Sequence, residues 1–170
     1  ILSRLVGSEM CIRDSFRLGL GSQVKAHVER RYSADFDRPA ARMRDYVEAV
    51  KAAWRAFNRE ERLDHHGEFY EMTLLPPDWA PRRHDFEMKV DISAVGPMMT
   101  KVAAQVADGV HVHPLHSMAY LEKRLLPDLA AGAGEVGRDP NEVELIVPVF
   151  ACPGDTAAVS YTHLRAHETA

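Results

Sequence analysis

The chain has 170 residues, of which 46% are hydrophobic and 27% charged, with a formal net charge of −4. This is ordinary globular composition, enough for one domain or part of a larger one. The acidic balance and the absence of a basic stripe with interleaved aromatics argue against a nucleic-acid partner, and no apolar run of about 18 residues is present to span a membrane.

In chain order, the first stretch to place is Leu5–Ser15, LVGSEMCIRDS, which has no usable hydrophobic period. Its MCIRDS back-translates to a sequence resembling the transposon end of sequencing-library adapters. Near the other end, Val159–Thr169, VSYTHLRAHET, back-translates to the complementary strand. Both flanks are therefore expected to be translated adapter, residues 1–15 and 159–170, and are set aside like an expression scar. A signal peptide is rejected, because Val6–Ile12 is too short and polar for an h-region. Cys11, His163 and His167 then carry no functional meaning. Cys152 remains as the single native cysteine, so no disulfide framework is expected and a cytoplasmic location is. The native segment is expected to be residues 16–158, beginning and ending inside a longer protein.

Phe16–Ser22, FRLGLGS, reads as a short strand with Leu18 and Leu20 alternating against Arg17 and Gly19. Its GxG lacks the third glycine of a dinucleotide fingerprint. Ser22, Gln23 and His27 follow the strand's C-terminal end, where α/β sheets and barrels carry their chemistry; a solvent-facing loop histidine is the plainer reading of His27. Val24–Asp37 is polar and charged; Lys25, Arg30 and Arg31 there could meet an anionic ligand tail, though a solvated face is the commoner reading. Asp37 then caps a helix with Pro39 just inside it. Over Ala40–Asn58, Met43, Tyr46, Val47, Val50, Trp54 and Phe57 form one apolar stripe, so Trp54 is expected in the core. Glu60–Asp85 is irregular apart from the strand-like Gly67–Tyr70, and its prolines suggest a substrate-facing or passive loop.

Val90–Pro114, VDISAVGPMMTKVAAQVADGVHVHP, organises the chain. It reads as strand, Gly96-Pro97 turn, helix and strand, a βαβ unit with parallel, adjacent strands and a right-handed crossover. Pro97 suits the first helical position, and Met98, Val102, Ala103 and Val106 form the apolar face. The helix start after Gly96 points its N–H groups outward, an arrangement that receives phosphate or simply makes a tight turn. Ser117 caps a helix over Met118–Ala131 that Pro127 should kink and Gly132–Gly137 should end. Asn141–Ala151 reads as a further strand, with Pro148 awkward in a ladder. The alternation of elements predicts a parallel α/β fold, open sheet or (β/α)8 barrel.

His111, His113 and His116 in HVHPLH offer imidazoles on one strand face, but no adjacent Cys, Asp or Glu completes a four-ligand set, and no metal is expected. No GxSxG is present and Cys152 has no histidine at informative spacing, so hydrolase chemistry has no support.

Taken together, FRLGLGSQVKAHVERRYS, RPAARMRDYVEAVKAAW, GEFY, SAVGPMMTKVAAQVADGVHVHP and VPVFACPGDT resemble the luciferase-like monooxygenase family, in particular its deazaflavin (coenzyme F-420)-dependent oxidoreductases. The ordered series carries the resemblance; no single motif does. It implies a (β/α)8 TIM barrel of which this segment holds roughly strands four to seven, with the cofactor across the C-terminal face. Ser22, Gln23 and His27 would then follow the fourth strand near the cofactor. Val95, Gly96, Pro97 and Met98 would form the phosphate-binding turn, and His113 would face the pocket rim. The sequence departs from the family pattern at MKVDIS, where relatives tend to have a proline-led apolar strand. The implied chemistry is hydride transfer between the deazaflavin and a small-molecule organic substrate, in a parent compatible with a homodimer. The alternatives are an FMN-dependent monooxygenase using oxygen and a noncatalytic fragment whose open strand edges favour aggregation.

Overall fold

The computed structural model describes residues 16–83, 87–149 and 153. Both stretches read as adapter lie outside the described residues, as do Cys152 and His84.

The first strand, β1 (Arg17–Leu20), is followed by helix α1 (Lys25–Tyr32) and the long helix α2 (Pro39–Phe57). A two-stranded antiparallel hairpin follows, β2 (His65–His66) with β3 (Glu71–Met72). Then come β4 (Lys89–Ser93), α3 (Pro97–Val106) and β5 (Gly109–His111), the βαβ unit. Beyond it, α4 (Met118–Tyr120) runs through one π-helical segment, Leu121–Leu125, into α5 (Leu126–Glu135), and β6 (Glu144–Ile146) closes the series.

β1, β4, β5 and β6 form a single parallel sheet in that order. Side chains alternate across a strand, so the sheet has two different faces. Val90, Ile92, Ala94 and Val110 point to the helices and meet Met43 and Val47 of α2, Val102 and Ala103 of α3 and Leu129 and Ala133 of α5. Val47, Val90, Ile92 and Val110 are fully buried, and each stabilises the fold by about 1.5–3 kcal/mol relative to exposure. Gly132 lets α5 approach α3 closely: a Cβ there would lie 2.6 Å from the Lys101 Cα. Arg138 closes the far end of α3, its Nη1 donating to the carbonyls of Ala104 (3.2 Å) and Ala107 (2.6 Å), where a cation also meets the negative end of the helix dipole.

Several sequence expectations change. The polar stretch after β1 contains α1, which buries none of its residues and so shows no apolar stripe. Met98 is 73% exposed and does not join the apolar face of α3; Thr100 takes a buried place there instead. Pro127 lies within one continuous helical run from Met118 to Glu135, one residue into α5 and directly after the π-helical segment. Gly132 and Gly134 lie inside α5, and Gly137, at φ +69°, follows its end. The last strand is confined to Glu144–Ile146: Pro140 opens a 3-10 turn ahead of it, and Pro148 lacks a ladder donor behind it.

Candidate functional site

Because β1, β4 and β5 are parallel, the loops leaving their C-terminal ends share one edge of the sheet. Gly21 lies beside the end of β4, its Cβ position 3.7 Å from the Ser93 Cβ. The segments Ser22–Gln23 and Val95–Met98 are thereby brought to the same edge.

The turn into α3 is built from local rules. Gly96 is the N-cap, with φ −89° and ψ 156°, and Pro97 occupies the first helical position. The Thr100 backbone N–H and its Oγ1 hydroxyl both donate to the Gly96 carbonyl, at 3.0 and 3.1 Å. Pro97 has no N–H, and the N–H groups of Met98 and Met99 have no acceptor within the helix. The first turn carries no acidic residue, and a Cβ at Gly96 would meet nothing within 4 Å. The Tyr120 hydroxyl donates to the Val95 carbonyl at 2.8 Å and braces the turn from beyond β5. Burial, then Asp128, raises the Tyr120 pKa above the ordinary phenol value, so the hydroxyl stays a donor at neutral pH.

The other sequence-nominated residues fall into place unevenly. Ser22 is half-buried and its hydroxyl donates to the Gln23 carbonyl; Gln23 adopts φ 59° in the tight exit from β1. His27 lies exposed in the first turn of α1. β5 stops at His111, so His113 is an exposed loop residue rather than the end of a strand. Its Nδ1 accepts from the Leu115 N–H at 3.1 Å, and its carbonyl is 2.9 Å from the His116 Nδ1. Among the described residues, no group of three or more His, Cys, Asp or Glu is placed to hold a metal ion.

The face of the sheet away from the helices carries a charged network that the sequence reading missed. Asp91 of β4 is 1% exposed. Arg17 of β1 grips it with two hydrogen bonds, Nε to Oδ2 at 2.7 Å and Nη2 to Oδ1 at 2.6 Å. The remaining Arg17 nitrogen, Nη1, reaches Glu144 of β6 at 2.8 Å, and Lys89 Nζ meets the other Glu144 oxygen at 2.7 Å. His111 Nε2 is 3.5 Å from Asp91 Oδ2. Gly19 and Gly109 are the register partners of Asp91 on either side. A Cβ at Gly109 would lie 2.5 Å from Asp91 Oδ1 and 2.7 Å from Arg17 Nη2, so glycine there makes room for the pair. Hydrogen bonding to Asp91 holds the Arg17 pKa above its ordinary value; Lys89 and Arg17 hold the Glu144 carboxyl below its own. The available signal was Arg17, Lys89 and Asp91 at period two in otherwise apolar strands, where MKVDIS departs from the expected apolar run.

A parallel α/β sheet with a braced, open helix start at its C-terminal edge defines the class. The luciferase-like monooxygenase family profile matches residues 14–169, and the chain belongs to that family. An uncharacterized protein of Mycobacterium tuberculosis is 37% identical over 138 residues, covering 81% of this chain and 41% of that protein. The F-420-dependent glucose-6-phosphate dehydrogenase of Segniliparus rotundus is 26% identical over 118 residues, 68% of this chain and 32% of that enzyme. The chain thus spans about two fifths or less of the length of these relatives. Among solved structures, the coenzyme F-420-dependent tetrahydromethanopterin reductase from Methanopyrus kandleri superposes with a TM-score of 0.52 at 19% identity, over 79% of this chain and 40% of that one. That likeness is one of fold.

Proposed function

We propose that this chain is the part of a deazaflavin-dependent oxidoreductase that carries the cofactor's phosphate turn, with its four parallel strands as roughly strands four to seven of a (β/α)8 barrel. Membership of the family, F-420-dependent relatives and the parallel sheet support the reading. The observation that carries it is the start of α3: an acid-free helix N-terminus, with open space at Gly96, on the edge that also holds Ser22 and Gln23. In the same reading, residues 1–15 and 159–170 are translated adapter.

The residues fit an anionic cofactor tail. Met98 and Met99 N–H groups would hold the phosphate, Pro97 fixes the entry angle, and Tyr120 and Thr100 hold the Gly96 turn in position before any ligand arrives. Ser22 and Gln23 would border the ring system from the neighbouring loop, with His27 further out along α1. A bound deazaflavin supplies a two-electron centre able to exchange a hydride with an organic substrate. The protein's share is to bind, orient and keep charge in place.

The test is cofactor titration of the intact protein with Gly96→Asp as the diagnostic variant. At φ −89° aspartate meets no strain or clash and is a favoured N-cap, so thermal stability should hold or rise. Its carboxylate should lower deazaflavin affinity at least about tenfold by repelling the phosphate. Unchanged affinity in Gly96→Asp, or oxygen consumption with reduced FMN and no deazaflavin turnover, would overturn the reading.

A further inference from the structure

A cleft of about 330 Å³ lies between the exit of β1, the α1–α2 connection and the first two turns of α2. Its body is apolar, with Leu20, Val28, Phe36, Met43 and Tyr46 among its walls, and Arg42 is its cation. Two guanidinium groups lie over the Phe69 ring, Arg38 at 4.8 Å and Arg42 at 4.7 Å from the ring centroid. They differ in what else they hold. Arg38 has carboxylates, pairing with Glu68 and with Asp37. Arg42 makes no ion pair among the described residues, and its Nε is buried with no hydrogen-bond partner. Of the two acids that border the cleft, Asp37 already receives the Arg38 Nε and Asp35 is exposed.

We infer that this cleft is a binding site for a small hydrophobic carboxylate, its acid group completing Arg42 and its apolar body lying against the wall formed by Leu20, Val28, Phe36, Met43 and Tyr46. The size suits a single aromatic or short aliphatic acid, and pockets of this kind combine an apolar lining with one oriented polar group. A planar guanidinium matches a carboxylate through paired N–H donors, and its ring stack on Phe69 holds it in position. Ser22, which borders the proposed cofactor ring, also lines the cleft, whereas none of Val95–Met98 does, and the inference does not depend on which cofactor the protein uses.

The experiment is calorimetric titration of the full-length protein with benzoate and with benzamide, its neutral isostere. The wild type should prefer benzoate by about tenfold or more. Arg42→Met should bind the two equally, and Arg42→Lys should retain part of the preference. Thermal melts of the variants report on folding; should Arg42→Met melt early, Arg42→Lys and Asp35→Asn carry the decision. Asp35→Asn should leave the preference intact or increase it. A wild type that does not distinguish the two probes, an Arg42→Met that still does, or an Asp35→Asn that loses the preference would each overturn the inference.

Discussion

Two carboxylates, Asp45 and Asp91, are buried almost completely, at 5% and 1% exposure, and the fold satisfies them in opposite ways. Asp45 projects from α2 into the turn of the β2–β3 hairpin. Its Oδ2 accepts from the backbone N–H groups of Phe69 and Tyr70, and its Oδ1 lies 2.6 Å from His65 Nε2. Gly67 passes so close that a Cβ would sit 1.7 Å from Oδ1. Asp91 is held instead by the Arg17 side chain from another strand, within a network of formal charges. Fixed backbone dipoles keep a helix and a hairpin together; a movable guanidinium ties three strands across the open face. The first arrangement survives the loss of one partner, whereas the second concentrates nearly everything on one residue.

The largest effect should come from Arg17→Met. It leaves Asp91 buried with no full counter-charge and should cost about 3 kcal/mol in urea denaturation. Adding Asp91→Leu should recover most of that loss, since a buried pair replaced as a unit by apolar residues is often neutral; a double variant as unstable as Arg17→Met would show that the pair itself stabilises the sheet. Gly67→Ala should follow at about 2 kcal/mol, because the hairpin must lift from Asp45 to admit a methyl group. His65→Gln should cost only about 1 kcal/mol, the two backbone donors remaining.

Acid titration sharpens the contrast further. Burial alone would raise the Asp45 pKa, but the Phe69 N–H, His65 and the Tyr70 N–H together bring it below the ordinary value. A depressed carboxylate adds stability that is complete above its unfolded pKa of about 3.9 and is lost as pH falls through the lower folded value. Stability should therefore decline below about pH 4, and Asp45→Asn should flatten that slope. Glu144, lowered first by its hydrogen bond to Lys89, titrates in the same direction. It is half exposed, so its smaller contribution should fade in high salt while that of Asp45 persists.

What the sequence disclosed follows from how local each feature is. The β4–α3–β5 unit was legible because proline placement and helical period act within a few residues. Gly67–Tyr70 read as strand-like but is the turn between β2 and β3, and its meaning as a cradle for Asp45 depends on a residue over twenty positions earlier. α1 escaped notice because it buries nothing, and a helix without an apolar face leaves no period to find. The Arg17–Asp91–Glu144 network joins residues 74 and 127 positions apart, and only the strand order puts them on one face. In sequence Arg42 is one more charge in a helix; its want of an ion pair becomes visible only when Phe69 and Arg38 stand beside it.

The pairing of β1 with β4, rather than with a strand close behind it, has a consequence for synthesis. Arg17 precedes Asp91 by 74 residues. At a translation rate of about 5–20 residues per second, β1 leaves the ribosome roughly 4–15 s before β4. During that interval the edge that β4 later takes is open to any passing β-segment. A strand that begins with arginine and alternates through glycine makes a poor template, and the residue that later clamps the sheet serves, until then, to keep that edge in water.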